Sequence, residues 1–342
     1  MLDKLRSVFV FGVSIVALAC TCPASAQDQL IVAGTGGTTG DAIRSLFPAF
    51  EAEHNVKITY VTGNGTELLA KLQAAQGNQE VDVVMMDDGP MFRAIELGLC
   101  SPIEGVDLSN INEGAKVFPE NRALGTAFIG IGLIYNKDVF AQKGWAPPTS
   151  WRDLEDPKYT KQFVIPPLSN GLGLMATIML ARVNGGGESN IDPGFDALIN
   201  HVNANVLVYE PTAAKTAEQL QTGQASLAVF GHNRAKIIAE SGFPVEFVYP
   251  KEGFPVIMPA ICPVAKPKVS PAAQAYIKMI LSHEAQEALV KAAGYAPVAL
   301  DVKAGSSFPT GENAPELINV DWVTINKNRD AWNQRWVREV ER

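Results

Sequence analysis

Three short apolar runs, at residues 29–33, 56–62 and 81–86, are each followed by a segment of helical periodicity, and this alternation constrains the chain more than any other feature. Residues 41–53 place Ile43, Leu46, Phe47 and Phe50 on one face, and residues 65–76 and 90–97 read as further helices. Strands joined through helices pair in parallel and gather their ligand loops at the strand C-terminal ends. After a polar stretch at 104–120, residues 126–135 read as a strand passing between domains. Pro147-Pro148 and Pro157 punctuate the start of a second α/β series. Its expected strands are 162–165, 206–209, 226–230 and 245–249, and its helices 171–183, 195–202 and 215–221. Residues 254–264 read as a second crossing, followed by helices at 271–281, 284–293 and 332–340.

The N-terminus indicates the compartment. Lys4 and Arg6 precede an apolar run from Val8 to Ala19, and Ala24-Ser25-Ala26 suits a signal peptidase, so residues 1–26 read as a cleaved signal peptide. Leu18-Ala19-Cys20 partly resembles a lipobox and offers a lipoprotein as the alternative. Cleavage leaves 35 acidic and 26 basic residues, a net charge of −9. Such an acidic chain argues against nucleic acid as a partner. The remaining length exceeds one ordinary core and implies two domains. Cys100 and Cys262 either pair in an oxidising compartment or pack as small apolar residues; their spacing fits no metal motif.

With these elements in place the whole mature chain resembles the extracellular solute-binding proteins of ABC importers, in the branch that includes spermidine/putrescine-binding and ferric-iron-binding proteins. The resemblance is carried by Leu133-Ile134-Tyr135-Asn136, by Thr149-Ser150-Trp151-Arg152-Asp153-Leu154 with Asp156-Pro157-Lys158-Tyr159, by Tyr249-Pro250-Lys251-Glu252-Gly253, and by Gly294-Tyr295-Ala296-Pro297. It implies the periplasmic-binding-protein fold: two α/β lobes joined by crossing strands, with a solute trapped in the cleft by hinge closure. The first lobe would take 27–133 plus 257–300, the second 134–256 plus 301–342. Trp151, Pro157 and Tyr159 read as packing residues. The implied protein is a periplasmic monomer whose partners are a small-molecule solute and the ABC permease.

Several segments offer ligand groups. Thr35, Gly36, Gly37, Thr38 and Thr39 lie between a strand and a helix, where backbone N–H groups and hydroxyls can meet an anion; a plain glycine turn is the alternative. The segment is not a nucleotide loop, because Thr39 stands where a dinucleotide fingerprint needs glycine. Ser169 and Asn170 precede the helix 171–183 and either bind ligand or cap it. Asp87-Asp88-Gly89 follows a buried strand, so one carboxylate, taken as Asp88, emerges at the strand end and suits a ligand amine or hydroxyl; a turn-forming or helix-capping Asp is the alternative. Phe230, His232, Asn233 and Arg234 are expected to supply an aromatic wall, amide donors and a guanidinium.

Departures from the resembled branch matter for the solute. The second crossing, Phe254-Pro255-Val256-Ile257-Met258-Pro259, brings no carboxylate to a polyamine, and no Tyr-Tyr pair is present to bind iron. The expected solute is therefore small, polar and organic, with an oxyanion and an amine or hydroxyls: an amino-acid derivative, an opine-like conjugate or a phosphonate. A polyamine is the alternative. An exported hydrolase is the rival class, but no Gly-x-Ser-x-Gly elbow, His-Glu-x-x-His or zinc pattern occurs, so neither catalytic residues nor a cofactor nor a metal is expected.

Overall fold

The computed structural model describes residues 27–303, 308–309 and 314–341; the expected signal peptide lies outside the described residues. Twelve strands form two sheets. In chain order they are β1 (Asp28–Gly34), β2 (Val56–Thr62), β3 (Val83–Asp87), β4 (Leu124–Gly125), β5 (Ile129–Asn136), β6 (Phe163–Ile165), β7 (Val206–Tyr209), β8 (Leu227–Gly231), β9 (Val245–Val248), β10 (Phe254–Ile257), β11 (Pro259–Pro263) and β12 (Leu317–Ile318).

The first sheet has the order β2-β1-β3-β11-β4. β1 pairs in parallel with β2 from Asp28↔Val56 to Gly34↔Thr62 and with β3 through Val32↔Val83 and Ala33↔Val84, as the βαβ alternation requires. Val83 to Met86 are all buried, so β3 reads as an unbroken apolar run. β11 returns antiparallel on β3. The second sheet runs β12-β10-β5-β8-β6-β7, with β9 also on β5. Each sheet anchors its own core: Leu30, Val32, Val83 and Tyr276 in one cluster, Leu133, Trp151, Tyr159 and Leu174 in another.

Two direct crossings join the sheets, and the chain passes once more to the second sheet between β11 and β12. The chain leaves the first sheet after Gly125 and enters the second at Ile129, and it returns through the single residue Met258. Thr126 fastens the two passages, its backbone N–H donating to the Pro259 carbonyl at 2.7 Å and its hydroxyl to the same oxygen at 3.0 Å. Residues 129–133, assigned by sequence to the first lobe, therefore pair within the second sheet, and Ile257 does so through Ile129. The apolar run continues through both passages, so hydropathy alone does not mark the change of sheet.

Two helices depart from expectation in ways that shape the site. The helix expected at 41–53 begins earlier and is broken, as Gly37–Arg44 and then Phe47–His54. Pro48 enforces the break, since it lacks an N–H and its ring would strike the carbonyl one turn back. The terminal helix spans Trp322–Glu339, ten residues longer at its start than expected, with Asp321 accepting from the Thr324 N–H as its cap. Cys100 and Cys262 form a disulfide, which resolves the alternative left open by sequence and ties β11 to the strand-like segment at Cys100.

Candidate functional site

The C-terminal ends of β1, β2 and β3 converge on one cavity. At the end of β1, Thr35 and Gly36 are followed by Gly37 at φ +63°, and the helix Gly37–Arg44 starts there with no side-chain cap. A Cβ on Gly40 would lie 2.6 Å from the Thr35 carbonyl oxygen, so glycine is what lets this helix sit against the loop. At the end of β2, Asn64 caps the helix Gly65–Ala74 in a reciprocal box with Glu67. β3 delivers Met85, Met86 and Asp87.

These ends, with Thr126, Pro259 and Tyr295, enclose about 140 Å³. The Tyr295 hydroxyl sits 3.2 Å from Thr39 Oγ1, and the Tyr60 hydroxyl donates to the Thr35 carbonyl at 2.9 Å. Burial raises the pKa of both phenols, Tyr60 to about 12, so both stay protonated donors. The cavity adjoins an opening of about 590 Å³ between the lobes, which shares Asn64, Gly65 and Asp87 and is lined from the second lobe by Ser169, Asn170, Ile257, Trp322 and Arg329. Asp87 and Arg329 thus line the same opening from opposite lobes without pairing.

The expected residues fall into three groups. Thr35 and Thr39 line the cavity, and Gly36 and Gly37 form the helix entry beside it; Thr38 is exposed and is not among the lining residues. Ser169 and Asn170 line the interlobe opening, and Asn170 also serves as a cap, its Oδ1 accepting from the Leu172 N–H at 2.8 Å and its Nδ2 donating to the Pro211 carbonyl at 2.9 Å. Asp88 borders the same opening while turning its carboxylate inward: it accepts from the N–H groups of Met258 at 3.2 Å and Gly89 at 3.1 Å, with the Trp322 side chain beside it. Burial, and then the Asp87 charge, push its pKa well up. Its neighbour Asp87 faces the cavity with an exposed side chain, and the surrounding protein raises its pKa too.

The segment after β8 requires correction. Phe230 is still within the strand and packs with Ile134, Val164 and Ala235 under the following helix, so it is a core residue and not a cleft wall. His232 is 1% exposed and its Nδ1 accepts from the Gly130 N–H at 2.9 Å. Burial lowers its pKa to about 4 and keeps the ring neutral. Asn233 donates to the Ala293 carbonyl at 3.2 Å. His232 thus ties the helix after β8 to the start of β5, and Asn233 ties it to the end of the helix His283–Ala293. Arg234 is exposed, close enough to Tyr295 to act on its titration, and makes no ion pair among the described residues.

Sequence reasoning missed Asn64, Tyr295 and Arg329, and of the Asp87-Asp88 pair it took Asp88 where Asp87 lines the cavity. The capping box Asn64-Gly65-Thr66-Glu67 at the end of β2 was a readable signal for the first. Asp87 and Asp88 differ only in which way the chain turns after β3. Arg329 carried no signal, because its helix was expected to begin three residues later.

Comparisons with known proteins bear on the family and the fold. The model of the bacterial extracellular solute-binding protein family matches residues 45–316. An uncharacterized protein of Haemophilus influenzae is 26% identical over 335 residues, covering 95% of this chain and 94% of its own. The crystal structure of an ABC transporter protein from Clostridium perfringens matches with TM-score 0.78 at 23% identity, over 91% of this chain and 99% of that one. The periplasmic binding protein AfuA of Actinobacillus pleuropneumoniae, solved with fructose-6-phosphate bound, matches with TM-score 0.74 at 20% identity, over 92% and 99%. At these identities the solved structures establish the fold.

Proposed function

The chain belongs to the bacterial extracellular solute-binding proteins, and from that premise we propose that it is the periplasmic receptor of an ABC importer for a small polar organic solute bearing an oxyanion. The observation that carries this reading is the cavity at the ends of β1 to β3, where the Thr35, Thr39 and Tyr295 hydroxyls and an uncapped helix start face one small space beside Asp87. The oxyanion sits among these donors, and Asp87 takes an amine or hydroxyl of the same molecule. Arg234 stands near Tyr295 as a further cationic group. The second lobe closes over the solute from the Ser169 side, and no covalent step is involved.

The leader-like N-terminus and the Cys100–Cys262 disulfide both suit an oxidising compartment outside the cytoplasm. The fold by itself does not choose a solute. The fructose-6-phosphate bound to AfuA supports an oxyanion-bearing one. The two carboxylates after β3 are the one feature that favours a polyamine, yet Asp88 is committed to backbone donors and Met258-Pro259 brings no further acid.

The test is a thermal-shift screen of the mature protein across sugar phosphates, phosphonates, amino acids, opines and polyamines, with native mass spectrometry of any ligand carried through purification. Stabilisation by an oxyanion-bearing compound, recovered unchanged, supports the reading. Stabilisation by putrescine or spermidine alone defeats it, and turnover of the ligand returns the hydrolase.

A further inference from the structure

The guanidinium of Arg329 stands at the cleft with most of its hydrogen-bonding capacity unused. It projects from the terminal helix Trp322–Glu339 into the interlobe opening, and one of its five N–H donors reaches the Ser169 carbonyl at 3.0 Å. It makes no ion pair among the described residues, although the Asp330 and Asp88 charges lie near enough to act on it. The nearest acidic candidate across the cleft, Asp88, has both carboxylate oxygens occupied by the N–H groups of Gly89 and Met258. Burial already disfavours the charged form of Arg329. A partly buried, unpaired cation is costly to keep unless something else supplies the countercharge. The start of the helix that carries it meets the first lobe: Asn326 donates to the Gly89 carbonyl at 3.1 Å, and a Cβ on Gly89 would lie 2.6 Å from the Trp322 ring. Arg329 is thus carried on the terminal helix, opposite the wall that carries Asp87, with one N–H on the Ser169 carbonyl.

We propose that Arg329 is the specificity-determining residue of the second lobe, pairing with the anionic group of the solute when the cleft closes and so selecting anionic over neutral or cationic compounds. This rests on the oxyanion reading of the cavity and adds the group that enforces it from the other side. The oxyanion is then held between neutral donors of the first lobe and one full charge of the second, a division of labour in which the first lobe recognises shape and the second recognises charge.

The test is isothermal titration calorimetry of the mature wild type, Arg329→Gln and Arg329→Lys with fructose 6-phosphate, fructose, 2-aminoethylphosphonate, glutamate and putrescine. Circular dichroism and unfolding midpoints confirm that each variant is folded, and Lys268→Gln, exposed and lining neither the cavity nor the interlobe opening, is the control. The expected result is that an anionic probe binds wild type, loses about 100-fold in affinity in Arg329→Gln and recovers part of it in Arg329→Lys. The wild-type affinity should also weaken as salt is raised, and that slope should shrink in Arg329→Gln. An anionic probe that binds Arg329→Gln as tightly as wild type overturns this inference and leaves the proposed function standing. A panel in which only putrescine or fructose binds, or none binds, overturns both.

Discussion

The Asp88 carboxylate accepts a hydrogen bond from the Met258 N–H, 3.2 Å away, so the end of β3 is tied to the one residue through which the chain returns from the second sheet to the first. Asp87, one residue earlier, faces the cavity instead. Two adjacent carboxylates are thereby divided between holding the crossing and lining the cavity.

That division predicts opposite phenotypes. Asp88→Ala leaves the buried Met258 N–H without its acceptor and should cost about 2–3 kcal/mol of unfolding free energy. Asp87→Ala should cost less than about 1 kcal/mol, because its side chain is exposed, while weakening solute binding. Urea unfolding of the two variants, followed by thermal-shift titration with the stabilising solute, checks both halves. Equal stability losses would show that Asp88 does not brace the crossing.

His232 gives the fold a specific acid sensitivity. Its folded pKa of about 4 lies below the ordinary value of 6.5, so the unfolded chain binds the proton more readily. Stability from this group is complete above about pH 6.5 and is lost as pH falls towards 4. Between pH 7 and pH 5 the loss should be about 2 kcal/mol. Protonation would also take the Nδ1 acceptor away from the Gly130 N–H at the start of β5. Comparing urea midpoints at the two pH values in wild type and His232→Asn isolates the effect; a pH dependence that is the same in both removes His232 as its source.

The disulfide closes a loop of 162 residues in sequence separation and joins two segments of the first lobe. Constraint of the unfolded chain over such a loop gives a stabilisation of roughly 3–5 kcal/mol. Cys100→Ser with Cys262→Ser should lower the urea midpoint accordingly while leaving solute affinity within about twofold, since neither cysteine lines the cavity. An unchanged midpoint would mean that the bond contributes nothing to the unfolding equilibrium.

Much of the fold was legible because burial and period agree locally. β2 spans Val56–Thr62 and the helix Gly171–Val183 has the expected bounds, one with the alternating burial of a strand and the other almost wholly buried. The terminal helix was half hidden because residues 323–331 are mostly polar, with Ile325 as the buried anchor between Trp322 and Trp332. Arg329 was lost with it. The segment after β8 misled for a different reason. Strand ends do carry ligand groups in such folds, but sequence does not tell which ends face the cleft, and the partners that claim His232 and Asn233 lie 102 and 60 residues away. The same limit separates Asp87 from Asp88, where one residue of turn decides which carboxylate is free.

Tyr295 offers a direct probe of the cavity. Its hydroxyl meets Thr39 Oγ1 at 3.2 Å, and its segment follows the helix His283–Ala293, so it brings a distant part of the chain to the start of the helix Gly37–Arg44. Tyr295→Phe keeps the ring and its packing and removes one donor. Thr39 retains its own hydroxyl, so the folded state should change little and the unfolding midpoint should stay within about 2 °C. A solute that takes this hydroxyl loses one neutral hydrogen bond, which corresponds to a fall in affinity of about tenfold. If instead the midpoint drops sharply while affinity holds, the Tyr295–Thr39 contact is a clasp between chain segments, and the oxyanion must be sought among the donors of Thr35 and the helix start alone.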